Sequence, residues 1–354
     1  MYTEKNNGDV DKRDTGYDYL RIISTIAVIL IHVNWRYFSN VYLVHSRDGI
    51  WITESLINII TRFSVPCFVM ISGAFILKNE RNADFKYFYK KAFLNVVLPA
   101  MLAEFILVMV FVIKSFAGSD SNEKIINILK QVAVGGFENF WYIYMLVGIY
   151  VLVPVVLRIK KMLSYKEWIV FAVFLLCYGV FSQSLTTHIV AYDNGIVMSY
   201  LGYFLIGNII YEKKNKRSNM LIDILLCIIG IAICFFARIF ISDFYTKGVY
   251  KVFFSPGVVL MSFGMFSLFG KLEKVKSNRW STGLRKKCFG IYMFHSSLLK
   301  LVGGYIDGIG LELELAKILI ITVITFCVSL VCSICFDYMY AKIKKRTIVL
   351  LEKI

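Results

Sequence analysis

The sequence predicts an all-α integral membrane protein of about ten transmembrane helices, with both termini in the cytoplasm. Two observations carry that prediction. Apolar runs of about 16–24 residues recur along the whole chain, each long enough to cross roughly 30 Å of hydrocarbon. Basic residues collect in alternate connections between those runs, 28 on one side of the alternation against eight on the other, and the basic side is the cytoplasmic one. The chain is 58% hydrophobic, above the ~45–50% of a soluble domain. Its net charge of +16 is therefore a topology signal, and no basic face with base-stacking aromatics points to nucleic acid.

In order, the runs are 19–37, 53–77, 92–113, 139–157, 167–183, 196–211, 219–241, 252–270, 288–305 and 316–337. The first contains Arg21 and His32 and leads to no small-residue cleavage site, so it is expected to be a retained span. In the second, Pro66 can kink the helix, and Ser72-Gly73 permits close backbone approach. The expected organisation is a cytoplasmic tail over 1–18, a transmembrane domain over 19–337 and a basic cytoplasmic tail over 338–354. All eight cysteines lie in or beside apolar runs, the Cys332-x-x-Cys335 pair included. They read as small buried hydrophobes, with neither a disulfide framework nor a metal site expected.

Charged groups at bilayer depth cost at least ~2.5–3.5 kcal/mol each, so they mark a candidate site. They are Arg21, His32, Arg62, Glu104 and His295. Eleven residues separate Arg21 from His32, a rise of about 16 Å and about 20° past three full turns. Asp18, Arg21, Thr25 and His32 thus form one polar stripe, which must line a protein interior or a wet channel. The plainer readings are that Arg21 snorkels to headgroups and His32 bonds another helix. His295 has Tyr292 one turn earlier on the same side, and a structural role suits it as well as a functional one. Glu104 is expected to neutralise Arg62 or Arg21 as a buried ion pair.

A histidine deep in the membrane with cations beneath it suits one chemistry. Neutral imidazole can serve as general base toward a hydroxyl, while Lys and Arg at the cytoplasmic rim hold phosphates of a large anionic donor. The pantetheine arm of coenzyme A has a length similar to the Arg21–His32 rise, so an acyl thioester could be presented at depth while its nucleotide stays inside.

The same residues resemble the acyltransferase-3 family of bacterial integral-membrane O-acyltransferases. YDYLRIISTIAVILIHV resembles the family's first-helix pattern, a basic residue and then a histidine ten residues on, here Arg21 and His32. SVPCFVMISGAFIL resembles its Pro-Phe-Phe-x-x-Ser-Gly helix. FWYIYMLVGIYVLVPVV and CFGIYMFH are similar to two later segments, and the matches run in order over essentially the whole chain. Related domains form the membrane half of vancomycin-resistance serine racemases.

The resemblance implies acyl-CoA, usually acetyl-CoA, as a cytoplasmic donor substrate with no bound cofactor. The acceptor it implies is a hydroxyl of an extracytoplasmic or lipid-linked glycan or other cell-envelope molecule, in a bacterial plasma membrane. It implies that His32 is catalytic and that Arg21 belongs to the same site or the donor site. The residues themselves add expected donor contacts from Lys90 and Lys91 and a site lined by Asp18, Arg62, Ser72, Glu104, Trp141, Tyr292 and His295. Two departures stand out. Lys90 and Lys91 occupy the region where members carry Arg-x-x-Arg, and Asn139 replaces a histidine before the Trp141 segment, with Glu138 a substitute polar group at the outer entrance. A transporter or flippase of a small polar solute or lipid-linked glycan would use the same intramembrane groups. The outer connections around 36–52, 114–139, 184–195 and 238–251 are where acceptor selection is expected.

Overall fold

A computed structural model describes residues 14–38, 49–116, 121–133, 136–185, 196–213, 219–240, 253–272, 279–307 and 314–351. Most of the connections where acceptor selection is expected, and the tail up to residue 13, lie outside them. The described residues are helical without any strand. The helices are α1 (Thr15–Phe38), α2 (Gly49–Thr61), α3 (Ser64–Lys78), α4 (Phe85–Ala92), α5 (Leu98–Phe116), α6 (Ser121–Ala133), α7 (Trp141–Met162), α8 (Tyr165–Leu185), α9 (Ile196–Lys213), α10 (Met220–Phe240), α11 (Pro256–Gly270), α12 (Arg279–Asp307) and α13 (Glu314–Leu351).

A helix or a pair of helices stands at each predicted run. Seven of these stretches are long and apolar enough to cross a membrane: 15–37, 49–78, 85–116, 141–162, 165–182, 220–240 and 315–351. The other three are α9, α11 and α12. α9 is buried along nearly its whole length, so Ser199 and Asn208 face protein and need no lipid-compatible surface. α13 continues as helix to Leu351, through most of the expected basic tail.

Prolines set the breaks. The second run divides at Arg62-Phe63 between α2 and α3. Pro66 lacks an N–H, and its ring excludes the carbonyl four residues earlier, which is that of Arg62. The third run widens into a π turn over Phe93–Val97 before Pro99, the same effect answered without a break.

One element corrects the prediction. The 114–139 connection, expected as a loop, contains the amphipathic helix α6 with Ile126 and Leu129 exposed. Such a face suits the membrane interface.

The centre is built on small residues. A Cβ on Gly73 of α3 would lie 1.8 Å from the Phe204 carbonyl oxygen of α9, and one on Gly207 would lie 2.2 Å from the Met70 oxygen. Lipid supplies no hydrophobic drive between helices, so close contact of this kind holds them together. The end of the bundle where α1 begins gathers Asp14, Lys78, Lys160, Tyr211 and Glu212, with Lys160 2.5 Å from Glu212 and Tyr211 2.5 Å from Asp14. It is called the basic end below.

Gly73→Ala and Gly207→Ala are each expected to destabilise the protein by about 1–3 kcal/mol through overpacking. Gly304→Ala, where a Cβ meets nothing within 4 Å, should be neutral or stabilising by up to ~1 kcal/mol from helix propensity. Thermal melts in detergent check both, and equal melts for the three variants would refute the close-packing account.

Candidate active site

The site forms along a seam between α1 and α12, which run parallel. Asp18 pairs with Arg285 at 3.1 Å near the basic end. The rings of His32 and His295 lie 5.1 Å apart in the middle. At the far end Asp307 accepts from Arg36 at 3.1 Å and Tyr37 at 3.0 Å, and pairs with Lys317 of α13 at 2.7 Å.

Two cavities flank this seam. The one toward the basic end, of about 130 Å³, is lined by Arg21, Phe68, Ser72, Val96, Tyr142, Leu146, Tyr150, Cys288, Phe289 and Tyr292. The Arg21 guanidinium has no carboxylate partner among the described residues, and the Ser72 hydroxyl donates to the Phe68 carbonyl at 3.0 Å. The Val96 wall belongs to the π turn, so Pro99 shapes this cavity from a distance.

The far cavity, of about 320 Å³, is lined by His32, Trp35, Arg36, Gln131, Gly136, Glu138, Asn139, Ser296, Leu299 and Lys300. Its wall is a short turn at Phe137–Asn139 that precedes α7. Glu138 and Asn139 hold left-handed backbone, with φ of 46° and 65°, which costs roughly 1–2 kcal/mol per residue. Four side-chain bonds hold it there. Lys300 pairs with Glu138, Ser297 donates to the other Glu138 oxygen at 3.1 Å, Asn139 donates to Ser296 at 2.8 Å, and Tyr292 donates to the Asn139 carbonyl at 2.7 Å.

Between the cavities lies a row of rings in steps of about 5 Å. Tyr142 to Tyr292 is 5.1 Å, Tyr292 to His295 is 5.4 Å, and His295 to His32 is 5.1 Å. His295 is 1% exposed, with Nδ1 at 2.6 Å from the Tyr292 carbonyl oxygen. A carbonyl only accepts, so Nδ1 carries the proton and a neutral ring keeps its lone pair on Nε2. That Nε2 has no hydrogen-bond partner among the described residues. His32 lines the far cavity, and neither of its ring nitrogens is hydrogen-bonded among the described residues.

The structure thus brings Arg21, Ser72, Tyr292, His295 and His32 along one path, and it places Glu138 at the far entrance. The other candidates line neither cavity, although the Arg62 charge reaches His32. Asp18 is tied to Arg285. Glu104 pairs with neither arginine as expected; it accepts from the Tyr144 hydroxyl at 2.8 and 3.0 Å, one turn into the facing helix α7. Arg62 sits at the α2–α3 break, donating from Nε to Asn58 at 2.8 Å with its guanidinium over Phe253, and lines neither cavity. Trp141 packs among Tyr142, Tyr200 and Phe253. Lys90 and Lys91 end α4 one to two turns before Val96; Lys91 reaches Asn82 at 3.5 Å.

Several polar residues here were missed by sequence reasoning. Lys300 is one, since it reads as part of an ordinary span flank. Glu54 and Arg238 are others: fully buried, 3.5 Å apart, with Asn34 donating to Glu54 at 3.2 Å. Each sits near the end of an apolar run, and Arg238 counts there among the loop charges.

A family model described as an acyltransferase domain, that of acyltransferase-3, matches residues 14–334, nearly the whole chain. No curated protein and no solved structure matches the chain.

Two outcomes follow from the geometry. Tyr292→Phe keeps the ring and leaves the Asn139 carbonyl without its donor, an expected loss of about 1–3 kcal/mol that an unchanged melting temperature would contradict. Lys317 and then Arg36 and Tyr37 hold the Asp307 carboxyl below its ordinary range. A lowered carboxyl stabilises the fold fully above the unfolded aspartate value of about 3.9 and stops doing so as pH falls through the folded one. The melting difference between wild type and Asp307→Asn should therefore be flat from neutral pH to about pH 5 and shrink below about pH 4; a difference already shrinking near neutrality would contradict it.

Proposed function

The chain belongs to the acyltransferase-3 family of helical membrane proteins, and from that premise we propose that it transfers an acyl group, acetyl in the first instance, from cytoplasmic acyl-CoA to a hydroxyl of a cell-envelope acceptor, a glycan free or lipid-linked, in a bacterial plasma membrane. The observation that carries the proposal is the row of Tyr142, Tyr292, His295 and His32 between two cavities, one with Arg21 in its wall and one with His32, toward opposite ends of the α1–α12 seam. The distribution of basic residues supports taking the Arg21 side as cytoplasmic.

In this reading the donor enters from the basic end. Arg21, a cation left without a carboxylate partner, offers a fork of donors to a phosphate or to the thioester oxygen. Lys90 and Lys91, at the rim, attract the nucleotide phosphates. The acceptor enters the far cavity beside His32. Imidazole takes the hydroxyl proton as the acceptor oxygen attacks the thioester carbonyl carbon. The tetrahedral adduct then collapses, the carbon–sulfur bond breaks, and the imidazolium returns the proton to the departing thiolate. His32 is the base because it faces the acceptor cavity. His295 lies behind it with its tautomer held by the Tyr292 carbonyl. Tyr142 and Tyr292 must yield for the thioester to arrive, which keeps water from the donor until the acceptor site is reached.

His32→Ala is expected to reduce transfer from labelled acetyl-CoA in proteoliposomes by about 10²–10⁴-fold, the usual contribution of a general base. Undiminished transfer by a correctly inserted variant would remove His32 from the mechanism. Acetyl-CoA at a hundredfold excess over its Kd should stabilise the purified protein by about 2.7 kcal/mol. No stabilisation by acetyl-CoA, with stabilisation by an amino acid or glycan instead, would favour transport.

A further inference from the structure

A third cavity, larger than the two that flank the seam, lies apart from both. It is an apolar groove of about 500 Å³ between α5, α12 and α13, and its walls include Val110, Phe294, Leu298 and Phe336. Two lysines, Lys114 of α5 and Lys300 of α12, are its only charged walls. Both helices run away from the basic end, so both lysines lie at the groove's far end. From Ile106 to Lys114 the groove follows α5 for eight residues, on the order of 12 Å.

This groove adjoins the far cavity, with one wall residue in common. Lys300 lines both. Its ammonium sits 5.4 Å from the Phe111 ring centre on the groove side and pairs with Glu138 on the cavity side. Ser297, also a groove wall, donates to the same Glu138. Lys114 is exposed and has no acidic partner among the described residues. An unneutralised lysine at the edge of an apolar slot asks for an anion attached to a hydrocarbon chain.

We propose that this groove binds a lipid with a phosphate headgroup, its chain between α5, α12 and α13 and its phosphate at Lys114 and Lys300, so that the acceptor reaches His32 sideways from the bilayer. The proposal rests on the catalytic reading above and narrows its acceptor to one carried on a lipid phosphate. A free glycan would gain nothing from the groove. A neutral lipid would leave Lys114 unanswered.

The test uses the full-length protein in phosphatidylcholine vesicles with a hexadecyl phosphate that carries a mid-chain diazirine, its adducts mapped by peptide mass spectrometry. Saturable labelling of Phe336, Cys335 or Met339 is expected, without saturable labelling by the matching hexadecanol and without competition from inorganic phosphate. Lys114→Gln should weaken labelling about fivefold, since a lysine beside an anionic lipid is worth ~1 kcal/mol. Val110→Trp, which fills the groove from its lipid-exposed side, should abolish it, and Phe174→Trp on the exposed face of α8 should leave it unchanged. Equal labelling by the alcohol, displacement by inorganic phosphate, or indifference to Val110→Trp would each overturn the proposal. Labelling needs no turnover. Its loss with acetyl-CoA stabilisation intact removes the groove alone, and the converse removes the catalytic reading alone.

Discussion

The parallel seam of α1 and α12 is the interaction on which the rest of the site depends. An apolar bilayer returns nothing to an unpaired polar group, so ionisable side chains there must be answered by other helices. The seam answers them at its two ends, Asp18 to Arg285 and Arg36 to Asp307, and holds the His32 and His295 rings side by side between them. Those ties keep two long helices in one register. Register matters because each cavity opens on one side of the same row of rings, and a one-turn slip of ~5.4 Å would carry His32 past His295 altogether.

A second network supports the seam from behind. Glu54 of α2 and Arg238 of α10 form a buried pair, with Asn34 of α1 and Ser55 bonded into it and Arg238 over the Trp51 ring. Removing one member of such a pair costs about 3–5 kcal/mol, since the other charge is then stranded. Asn34 lies two residues from His32, so this network fixes the segment of α1 that presents the imidazole. The Pro66 break serves the same end: it stops α2 where Arg62 can bond back to Asn58, one turn earlier, without running on into α3.

Much of this was legible in the sequence, and the reason is the solvent. Apolar length, loop charge and the Arg21–His32 spacing are local properties that lipid enforces directly, so the fold class and the polar stripe follow from them. Pro66 and Gly73 are legible because their backbone effects do not depend on partners. Partners are another matter. Asp18 meets Arg285 and Glu138 meets Lys300 across long stretches of chain, and no periodicity shows which charges will meet. That is why Glu104 is expected at an arginine although Tyr144 takes it, and why nothing in the sequence marks Glu54 and Arg238 as a pair. α6 was legible in principle: Ile125, Ile128, Leu129 and Val132 keep a helical spacing, masked by the polar residues between them.

Tyr292 joins the two halves of the site in one residue. Its ring lines the Arg21 cavity, and its hydroxyl holds the Asn139 carbonyl in the wall of the other. The magnitudes make this more than proximity. Two left-handed residues in that wall cost roughly 1–2 kcal/mol each, and one hydrogen bond contributes a net ~0.5–1.5 kcal/mol. The turn is held by only four such side-chain ties, two of them to Glu138. Taking away the Tyr292 bond therefore removes a sizeable share of what offsets the strain. An occupant of the basic-end cavity that pushes the Tyr292 ring acts on the far wall through a contact whose energy matches the strain it restrains. The shape of the far cavity is thus set in part from the basic end, by one side chain of the row between them.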